Sequence, residues 1–358
     1  MTRVALLGPS RHPVAEPFAG GQESHVATLA VALRRRGHHV VLHAAPGSDP
    51  SLADELVTHP PLPRLSAVAA LDPNLPEPGF LRDQHAFLSV VGDLMRRDDV
   101  DVVHNSSLHH LPLVAATAVD RPLVTTLHTP PFPWMEVGAA LTDPRAVFVA
   151  VSRDLAGRWT SLPAPPSVVP NGVDVDRFAA GPGGPDLAWV GRLVPEKGVD
   201  LAVAAARRSG RRLRLVGPVS DGAWFDHAVR PLLGADVTYE GHLEQDTASL
   251  LVGQSAALLV TPRWEEPFGL VAAEGALTGT PVVAIGRGGV AEVVDDRIGV
   301  LVAPRASDPE QVRSLATGVE RASTLCRTEV RRRAVARFSA DAMAAAYEHV
   351  YREAVAAW

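Results

Sequence analysis

Short apolar runs alternate with longer segments of helical spacing along most of the chain, and this alternation predicts the order of strands and helices. The first run ends at Gly8, and the segment from Ser24 to Arg36 then carries apolar residues at the i, i+3, i+4 and i+7 positions. Continuous apolar runs of this length are typical of buried parallel strands. The runs predict strands at 4–7, 39–43, 101–104, 123–128, 148–152, 187–190, 212–217, 237–243, 256–260 and 281–285.

The segments between these runs predict helices. They lie at 24–36, 81–97, 111–119, 199–208 and 268–277, within 308–337, and at about 340–358. A strand, a helix and a second strand in succession form the βαβ unit, whose two strands run parallel. The whole pattern therefore predicts an α/β fold with doubly wound parallel sheets.

Glycine and proline mark a linker at residues 179–185, Ala-Ala-Gly-Pro-Gly-Gly-Pro. A chain of 358 residues is long enough for two domains of ordinary size. We predict an N-terminal domain over 1–178 and a C-terminal domain over 186–339. The stretch 46–80 is rich in proline and polar residues and is predicted to be a variable loop region.

Composition narrows the class of protein. The chain is 46% hydrophobic and 21% charged, as expected of a soluble globular protein, and its formal net charge of −6 gives no reason to expect nucleic acid as a partner. Cys326 is the only cysteine, so we predict no disulfide framework and a cytoplasmic location. No apolar stretch has the length of a membrane span, and the first residues lack the layout of a signal peptide.

Two carboxylates mark the candidate chemistry of the C-terminal half. Glu266 stands just before the helix predicted at 268–277 and Glu274 lies within it, with seven residues between them. Helix N-termini at the carboxyl ends of parallel strands bind phosphates, and a carboxylate on the same helix can accept hydrogen bonds from paired sugar hydroxyls. The plainer interpretation is that acidic residues simply favour the first turns of a helix.

Two cations follow the strand predicted at 187–190. Lys197 is the only lysine of a chain that otherwise uses arginine, which indicates that this position requires a compact point charge. Together with Arg192 it could stabilise the negative charge that builds on a diphosphate as the bond to a sugar breaks. A solvated surface pair is the alternative.

The N-terminal half carries weaker signals. Gly20 and Gly21 begin a helix, where they either let backbone N–H groups approach a phosphate or form an ordinary loop pair. His128 ends a predicted strand, at the sheet edge where chemistry tends to occur. The adjoining loop 130–134, Pro-Pro-Phe-Pro-Trp, either covers a bound acceptor or packs on the surface. The histidines of this half lack the ligand spacing of a known zinc site, so we predict no metal.

These segments resemble the signature of the retaining glycosyltransferases of family 4. The family pattern E-P-F-G-L…E-x-x-x-x-G-x-P-V-V-A…G-G is matched at 266–270, 274, 279, 281–284 and 288–289. Further matches are G-R-x-x-x-x-K-G at 191–198, T-x-H-T at 126–129 and the glycine pair at 20–21. The resemblance covers most of the chain and is weakest at 46–80 and 130–145.

The resemblance implies the GT-B fold, in which two Rossmann-like domains face each other across a cleft and the final helix, 340–358, packs back on the N-terminal domain. It implies transfer of a sugar from a nucleoside-diphosphate sugar, with UDP favoured and GDP possible, to a hydroxyl of a small-molecule or glycan acceptor. Transfer would retain the anomeric configuration by a same-face mechanism, without a metal or other cofactor. Peripheral contact with a membrane-borne acceptor stays open, although no basic amphipathic segment favours it.

The resemblance also assigns expected roles to matching residues. Arg192, Lys197 and the Gly21 amide would stabilise the leaving diphosphate. Glu274 would hold the ribose hydroxyls, while Glu266 and His128 would orient the transferred sugar. The remaining donor-binding candidates are Gly20, His242, Leu243, Phe268, Gly269 and Leu270, and the acceptor-side candidates are His104, Asn105, His109 and Trp134. The glycine-rich turn at 286–290 could also present N–H groups to the phosphate or sugar.

Two other functions remain open at this point. One is a different GT-B enzyme, such as a phosphorylase or a nucleotide-sugar epimerase. The other is a non-catalytic subunit that binds a sugar nucleotide without transferring the sugar. The complete set of acidic, basic and histidine candidates argues against the second of these.

Overall fold

The computed structural model describes residues 1–358 and contains two wholly parallel sheets, which confirms the predicted fold class. The N-terminal sheet has seven strands in the order β3-β2-β1-β4-β5-β6-β7, and the C-terminal sheet has six in the order β10-β9-β8-β11-β12-β13. The strands are β1 Arg3–Leu7, β2 His39–Ala44, β3 Glu55–Thr58, β4 Val102–Asn105, β5 Leu123–Leu127, β6 Val147–Ala150, β7 Ser167–Val168, β8 Leu187–Val190, β9 Leu213–Val216, β10 Val237–Tyr239, β11 Ala257–Val260, β12 Val282–Ile285 and β13 Gly299–Val302.

Helices connect these strands and cover both faces of each sheet. They are α1 Gly21–Arg35, α2 Pro78–Leu94, α3 Leu111–Val114, α4 Ala116–Val119, α5 Pro133–Ala140, α6 Arg153–Arg158, α7 Val199–Arg208, α8 Gly222–Trp224, α9 Gln245–Gly253, α10 Leu270–Leu277, α11 Val290–Val293, α12 Asp308–Ala322, α13 Arg327–Phe338 and α14 Ala340–Ala357. None of them is long and apolar enough to cross a membrane.

Strand order reverses once in each sheet, and these reversals determine where a ligand can bind. In the N-terminal sheet β1 pairs with both β2 and β4, so the loops that leave β1 and β4 turn to opposite sides. In the C-terminal sheet β8 pairs with both β9 and β11 in the same way. Crevices at the carboxyl ends of such strands are the usual binding sites of doubly wound sheets.

The last helix returns to the N-terminal sheet. In α14, Tyr347 and Tyr351 are fully buried among apolar residues of α1 and of the sheet face that carries Val4 and Leu6. The opposite face of the sheet, which carries Ala5 and Leu7, belongs to a larger apolar cluster that continues into the helices of the C-terminal sheet. One core therefore spans both halves of the chain.

The linker at 179–185 is packed rather than loose. Gly181 N–H donates to Thr278 O at 2.9 Å, and Gly183 N–H donates to Gly253 O at 2.9 Å. A Cβ atom at Gly181 would collide with the backbone of Gly253, so only glycine allows this approach.

Several sequence-based bounds are corrected by the structure. The helix predicted at 81–97 begins three residues earlier and ends at Leu94, and the one predicted at 111–119 is two short helices that meet at Ala115. The helix predicted from Phe268 begins at Leu270, because Gly269 has a φ of +91°, outside the helical region. Strands β3, β7 and β13 were not predicted, and β3 lies within the expected loop region 46–80.

Candidate active site

A cavity of about 230 Å³ lies between the carboxyl edges of the two sheets, and we call it the central cavity. It is lined from the N-terminal side by the loop after β1 and the first turn of α1, and from the C-terminal side by the loops after β8, β9, β10 and β11. Ten of the predicted donor-site residues line it: Gly20, Gly21, Arg192, Lys197, His242, Leu243, Glu266, Gly269, Leu270 and Glu274.

Lys197 and Glu266 form an ion pair inside the central cavity. Lys197 Nζ donates to both carboxylate oxygens of Glu266, at 3.0 and 2.7 Å, and Trp264 Nε1 donates to one of the same oxygens at 2.9 Å. Lysine has three N–H donors, so the pair leaves one of them for a ligand. The arrangement holds a carboxylate and an ammonium side by side, as a sugar ring and its phosphate would require.

Arg192 supplies a second and less constrained positive charge. Its only ion pair is with Glu196 at 3.7 Å, and 43% of its side chain is exposed. Because the guanidinium is a planar fork of five N–H donors, it can bind two oxygens of a phosphate group at once. Arg192 and Lys197 together place two cations on the C-terminal wall of the cavity.

Glu274 lies deeper in the same cavity and is held by a polar chain. Gln245 Nε2 donates to Glu274 Oε1 at 3.2 Å, and the Gln245 amide N–H donates to Glu16 Oε2 at 3.2 Å. Glu16 in turn pairs with Arg177, which also pairs with Asp246 at 2.7 Å. Burial raises the pKa of Glu274 to about 7, so its carboxyl group is poised between the neutral and ionised forms near neutral pH.

The two halves of the chain touch beside the cavity and position its loops. His242 Nε2 lies 3.1 Å from Phe18 O, and Ser152 Oγ donates to Pro267 O at 2.6 Å. The second bond joins the start of α6 to the backbone that immediately follows Glu266.

Phe268 does not reach the central cavity. Its side chain is 4% exposed and packs edge to face on Phe338, at 5.9 Å between ring centroids. The left-handed backbone at Gly269 lies between Phe268 and helix α10. The Phe268 side chain therefore points away from the cavity that the first turn of the helix lines. The structure therefore gives Phe268 a packing contact where we expected a donor contact.

The glycine-rich turn at 286–290 braces the active-site loop. Gly288 N–H donates to Glu265 Oε2 at 2.7 Å, and Gly289 N–H donates to Glu266 O at 2.7 Å. A Cβ atom at either glycine would collide with the backbone at 265–268. The amides of Gly288 and Gly289 therefore hold the chain around Glu266 in this structure, where we expected the turn to present N–H groups to a ligand.

His128 lies behind the first turn of α1 and lines neither the central cavity nor the second cavity described below. Its Nε2 is 3.4 Å from Ser106 Oγ, and its ring packs edge to face on His25 at 4.6 Å between centroids. Burial and the neighbouring His25 and His104 lower the pKa of His128 well below its usual value. The imidazole is therefore neutral at pH 7 and can act through a hydrogen bond rather than a charge.

His104 is fully buried and both of its ring nitrogens are occupied. Its Nδ1 lies 2.7 Å from the hydroxyl of Tyr351, and its Nε2 lies 2.7 Å from Thr126 Oγ1. Asn105 is also buried, and its amide oxygen accepts hydrogen bonds from the backbone and side chain of Ser107. These placements give His104 and Asn105 structural contacts and do not support their predicted acceptor-side role.

The other two acceptor-side candidates line a second cavity of about 340 Å³, which we call the side cavity. It lies within the N-terminal half, between α2, the loop after β4 and the start of α5. His109 and Trp134 belong to its wall, together with Arg11, Glu23 and Asp83.

Several residues of the two cavities were missed by sequence analysis. Gln245, Glu23 and Asp83 lie on helices or helix starts with no recognisable motif, so nothing in the sequence marked them. Trp264 lines neither cavity but donates a hydrogen bond to Glu266, and its position two residues before Glu266 was the only available signal. Across the whole chain, no group of three or more His, Cys, Asp or Glu side chains is arranged to hold a metal ion.

Two family models match successive parts of the chain. The model described as Glycosyltransferase Family 4 matches residues 19–177, and the one described as Glycosyl transferases group 1 matches residues 175–328. Glycogen synthase of Mycobacterium tuberculosis H37Rv is 32% identical over an alignment of 340 positions, which covers 80% of this chain and 79% of that protein. D-inositol 3-phosphate glycosyltransferase of Actinosynnema mirum is 32% identical over an alignment of 380 positions, which covers 86% of this chain and 87% of that protein.

Solved structures with the same fold are also glycosyltransferases. AviGT4, a glycosyltransferase involved in avilamycin A biosynthesis, is 26% identical with a TM-score of 0.71, over 99% of this chain and 98% of that one. Anabaena Alr3699/HepE in complex with UDP-glucose shares the fold at 17% identity, with a TM-score of 0.75 over 98% and 100% of the two chains. Two facing parallel sheets with a cavity between them define the GT-B class of glycosyltransferases. The chain belongs to this class, in the glycosyltransferase family that the two models describe.

Proposed function

We propose that the protein transfers a sugar from a UDP-sugar to an acceptor hydroxyl with retention of configuration and without a metal ion. The observation that carries this proposal is the central cavity, where Arg192 and Lys197 face the glycine pair at the start of α1. Two cations and the N-terminus of a helix can together stabilise a leaving diphosphate. UDP is favoured because the similarly folded Anabaena protein binds UDP-glucose, as its solved complex states.

The proposed reaction uses the cavity as follows. The bond between the sugar C1 and the β-phosphate oxygen breaks, and the acceptor oxygen bonds to C1 on the same face. The acceptor proton passes to the leaving phosphate oxygen, so no separate base is required. Arg192 and Lys197 offset the charge that develops on that phosphate, and Glu266 holds the sugar by hydrogen bonds. His128, which lies beside Ser106 and His25 outside both cavity walls, helps to orient the sugar from there. Glu274 accepts hydrogen bonds from the ribose hydroxyls.

The test is a thermal-shift screen of the protein against UDP, GDP, ADP and dTDP, each with and without magnesium. Ligand at 100 times its Kd should stabilise the native state by about 2.7 kcal/mol and raise Tm accordingly. We expect a clear shift with UDP that does not depend on magnesium. A response to none of the four would contradict the nucleotide-sugar assignment, and a strict requirement for magnesium would contradict the metal-independent mechanism.

A further inference from the structure

The side cavity adjoins the central cavity across a single turn of helix. In the first turn of α1, Gly21 and Ser24 line the central cavity, whereas Gln22 and Glu23 line the side cavity. A molecule in the side cavity is therefore next to a sugar held beside the diphosphate site. If the proposed transfer reaction is correct, a molecule bound here is a candidate acceptor, so the chemistry of the side cavity indicates the class of acceptor.

One wall of the side cavity is a continuous stack of rings. Phe87 stacks on His109 at 4.2 Å, His109 on His110 at 4.6 Å, and His110 on Trp134 at 5.4 Å between centroids. Helix α5 packs tightly against this stack, since a Cβ atom at Gly138 in α5 would lie only 2.9 Å from His110 Cβ. Trp134 is the last ring of the stack and also contacts Phe80, at 5.8 Å between centroids, yet 53% of it is exposed, which leaves ring surface free for a ligand. Such a surface matches the flat C–H face of a sugar or cyclitol ring.

The opposite wall carries more negative than positive charge. Arg11 is the only arginine or lysine that lines the side cavity, and its Nε donates to Asp83 Oδ2 at 2.9 Å. Ser10 Oγ donates to the other Asp83 oxygen at 2.7 Å. Glu23 is 6% exposed and forms no ion pair; burial raises its pKa, an effect that the nearby His12 and Arg192 partly oppose. A phosphorylated ligand would bring further negative charge towards two carboxylates, at a site where the single cation is already paired.

The histidines of the ring stack do not correct this balance. Burial and the neighbouring His110 lower the pKa of His109 to about 3, and burial lowers the pKa of His110. Both rings are therefore largely neutral at pH 7 and offer stacking surface rather than positive charge. The side cavity presents hydrogen-bond acceptors and ring faces, a combination that suits hydroxyl groups on a ring.

We propose that the side cavity binds the acceptor as an unphosphorylated polyhydroxylated ring, with its C–H face against Trp134 and hydroxyl groups directed to Glu23 and Asp83. This proposal rests on the proposed function, because it takes the ring to be the acceptor of the sugar. It separates this protein from its relatives named for D-inositol 3-phosphate, whose acceptor carries a phosphate.

Two matched pairs of probes test the proposal on UDP-saturated protein. Methyl α-D-glucopyranoside is compared with glucose 6-phosphate, and myo-inositol with D-inositol 3-phosphate, by saturation-transfer NMR titration. We expect the better neutral probe to bind about tenfold more tightly than its phosphorylated counterpart, and Trp134→Ala to weaken it by a similar factor. Trp134→Phe, which keeps a ring, should restore most of the affinity. The UDP-induced rise in Tm should be the same in all three proteins.

Three results would overturn the inference while leaving the donor site intact. They are tighter binding of the phosphorylated probes, binding of none of the four, and affinity that does not change in Trp134→Ala. A protein that does not respond to UDP would instead overturn the proposed function, and the inference with it.

A charge variant adds a gain of binding that mere damage to the cavity would not produce. Glu23→Gln keeps the shape of the side chain and removes its negative charge, so glucose 6-phosphate should bind roughly three- to tenfold more tightly than to the wild type. Unchanged or weaker phosphate binding in this variant would contradict the role assigned to Glu23.

Discussion

The central and side cavities are both lined by the first turn of α1, but they differ in how their positively charged side chains are arranged. The central cavity places Arg192 and Lys197 around a helix N-terminus, whereas the side cavity pairs its single cation, Arg11, and leaves Glu23 without one. A diphosphate needs concentrated positive charge at a defined point, while a ring of hydroxyl groups needs acceptors and flat surfaces. On the functions proposed for the two cavities, charge alone would direct the diphosphate of the donor to the central cavity and an uncharged ring to the side cavity.

The two cavities also differ in how they are assembled. The central cavity draws its residues from loops at the strand-order reversals of both sheets, so it depends on the contact between the two halves of the chain. The side cavity is formed within the N-terminal half alone. Variants of one cavity should therefore leave ligand binding in the other unchanged, and the following predictions test that independence.

Replacing Lys197 by alanine should produce the largest effect. The variant loses a cation where charge develops and leaves Glu266 without its partner, so kcat/KM should fall at least about 30-fold, or roughly 2 kcal/mol. The measurement is UDP release from UDP-glucose, the donor that the similarly folded Anabaena protein binds. Arg207→Ala is the matched control, since it also removes a cation paired with a carboxylate, Asp236, but lies outside both cavities. An unchanged kcat/KM in Lys197→Ala would contradict the proposal that Lys197 stabilises the leaving phosphate.

His128→Ala should reduce turnover without reducing nucleotide affinity. We expect kcat to fall about 10- to 30-fold, because the imidazole that we propose to orient the transferred sugar is lost. The Kd for UDP should stay the same, since His128 lines neither cavity. A large loss of UDP affinity together with kcat would instead show that His128 supports the cavity wall, and titration calorimetry separates the two outcomes.

Glu274→Gln should weaken UDP about tenfold at pH 8, because a charged acceptor for the ribose hydroxyls becomes neutral. The same variant should be more stable than the wild type, increasingly so as pH rises. The pKa of Glu274 is about 7 in the folded state and 4.5 for an ordinary glutamate, so between these values unfolding releases a proton and higher pH favours unfolding.

The stability difference has a defined window. It should be absent below about pH 4.5, grow up to about pH 7 and then level off, with a limit of roughly 3 kcal/mol for a shift of this size. Denaturant unfolding of both proteins at pH 5, 6, 7 and 8 measures it. A difference that does not vary with pH would mean that Glu274 ionises in the folded protein as it does in water.

Sequence patterns were sufficient for most strands and for the charged residues of the central cavity. Arg192, Lys197, Glu266 and Glu274 were identified because they lie at fixed distances from glycines and prolines that fix the local backbone. The short edge strand β3 was missed because its four residues include only two apolar ones, Leu56 and Val57, and none of the four is buried. A pattern within one segment thus predicts those residues whose identity depends on the backbone of that same segment.

Contacts between distant parts of the chain explain why other residues lie elsewhere than we expected. His104 was assigned to the acceptor side, yet its ring nitrogen pairs with Tyr351, which is 247 residues away in α14. Phe268 was assigned to the donor site, but the φ angle of Gly269 directs it towards Phe338 instead. The ring stack of the side cavity likewise joins α2, the loop after β4 and α5. No pattern along one segment records such pairings.

The smallest predicted effect concerns the buried polar network that lies behind both cavities. Tyr351→Phe removes the partner of His104 Nδ1 and leaves a buried nitrogen without a hydrogen bond, so the free energy of unfolding should fall by about 1–2 kcal/mol. UDP affinity and probe binding in the side cavity should not change, because α14 lines neither cavity. His349→Ala on the exposed side of the same helix is the control and should change stability by less than about 0.5 kcal/mol. If Tyr351→Phe weakened both ligands equally, the two cavities would share this network as common support and would not be independent.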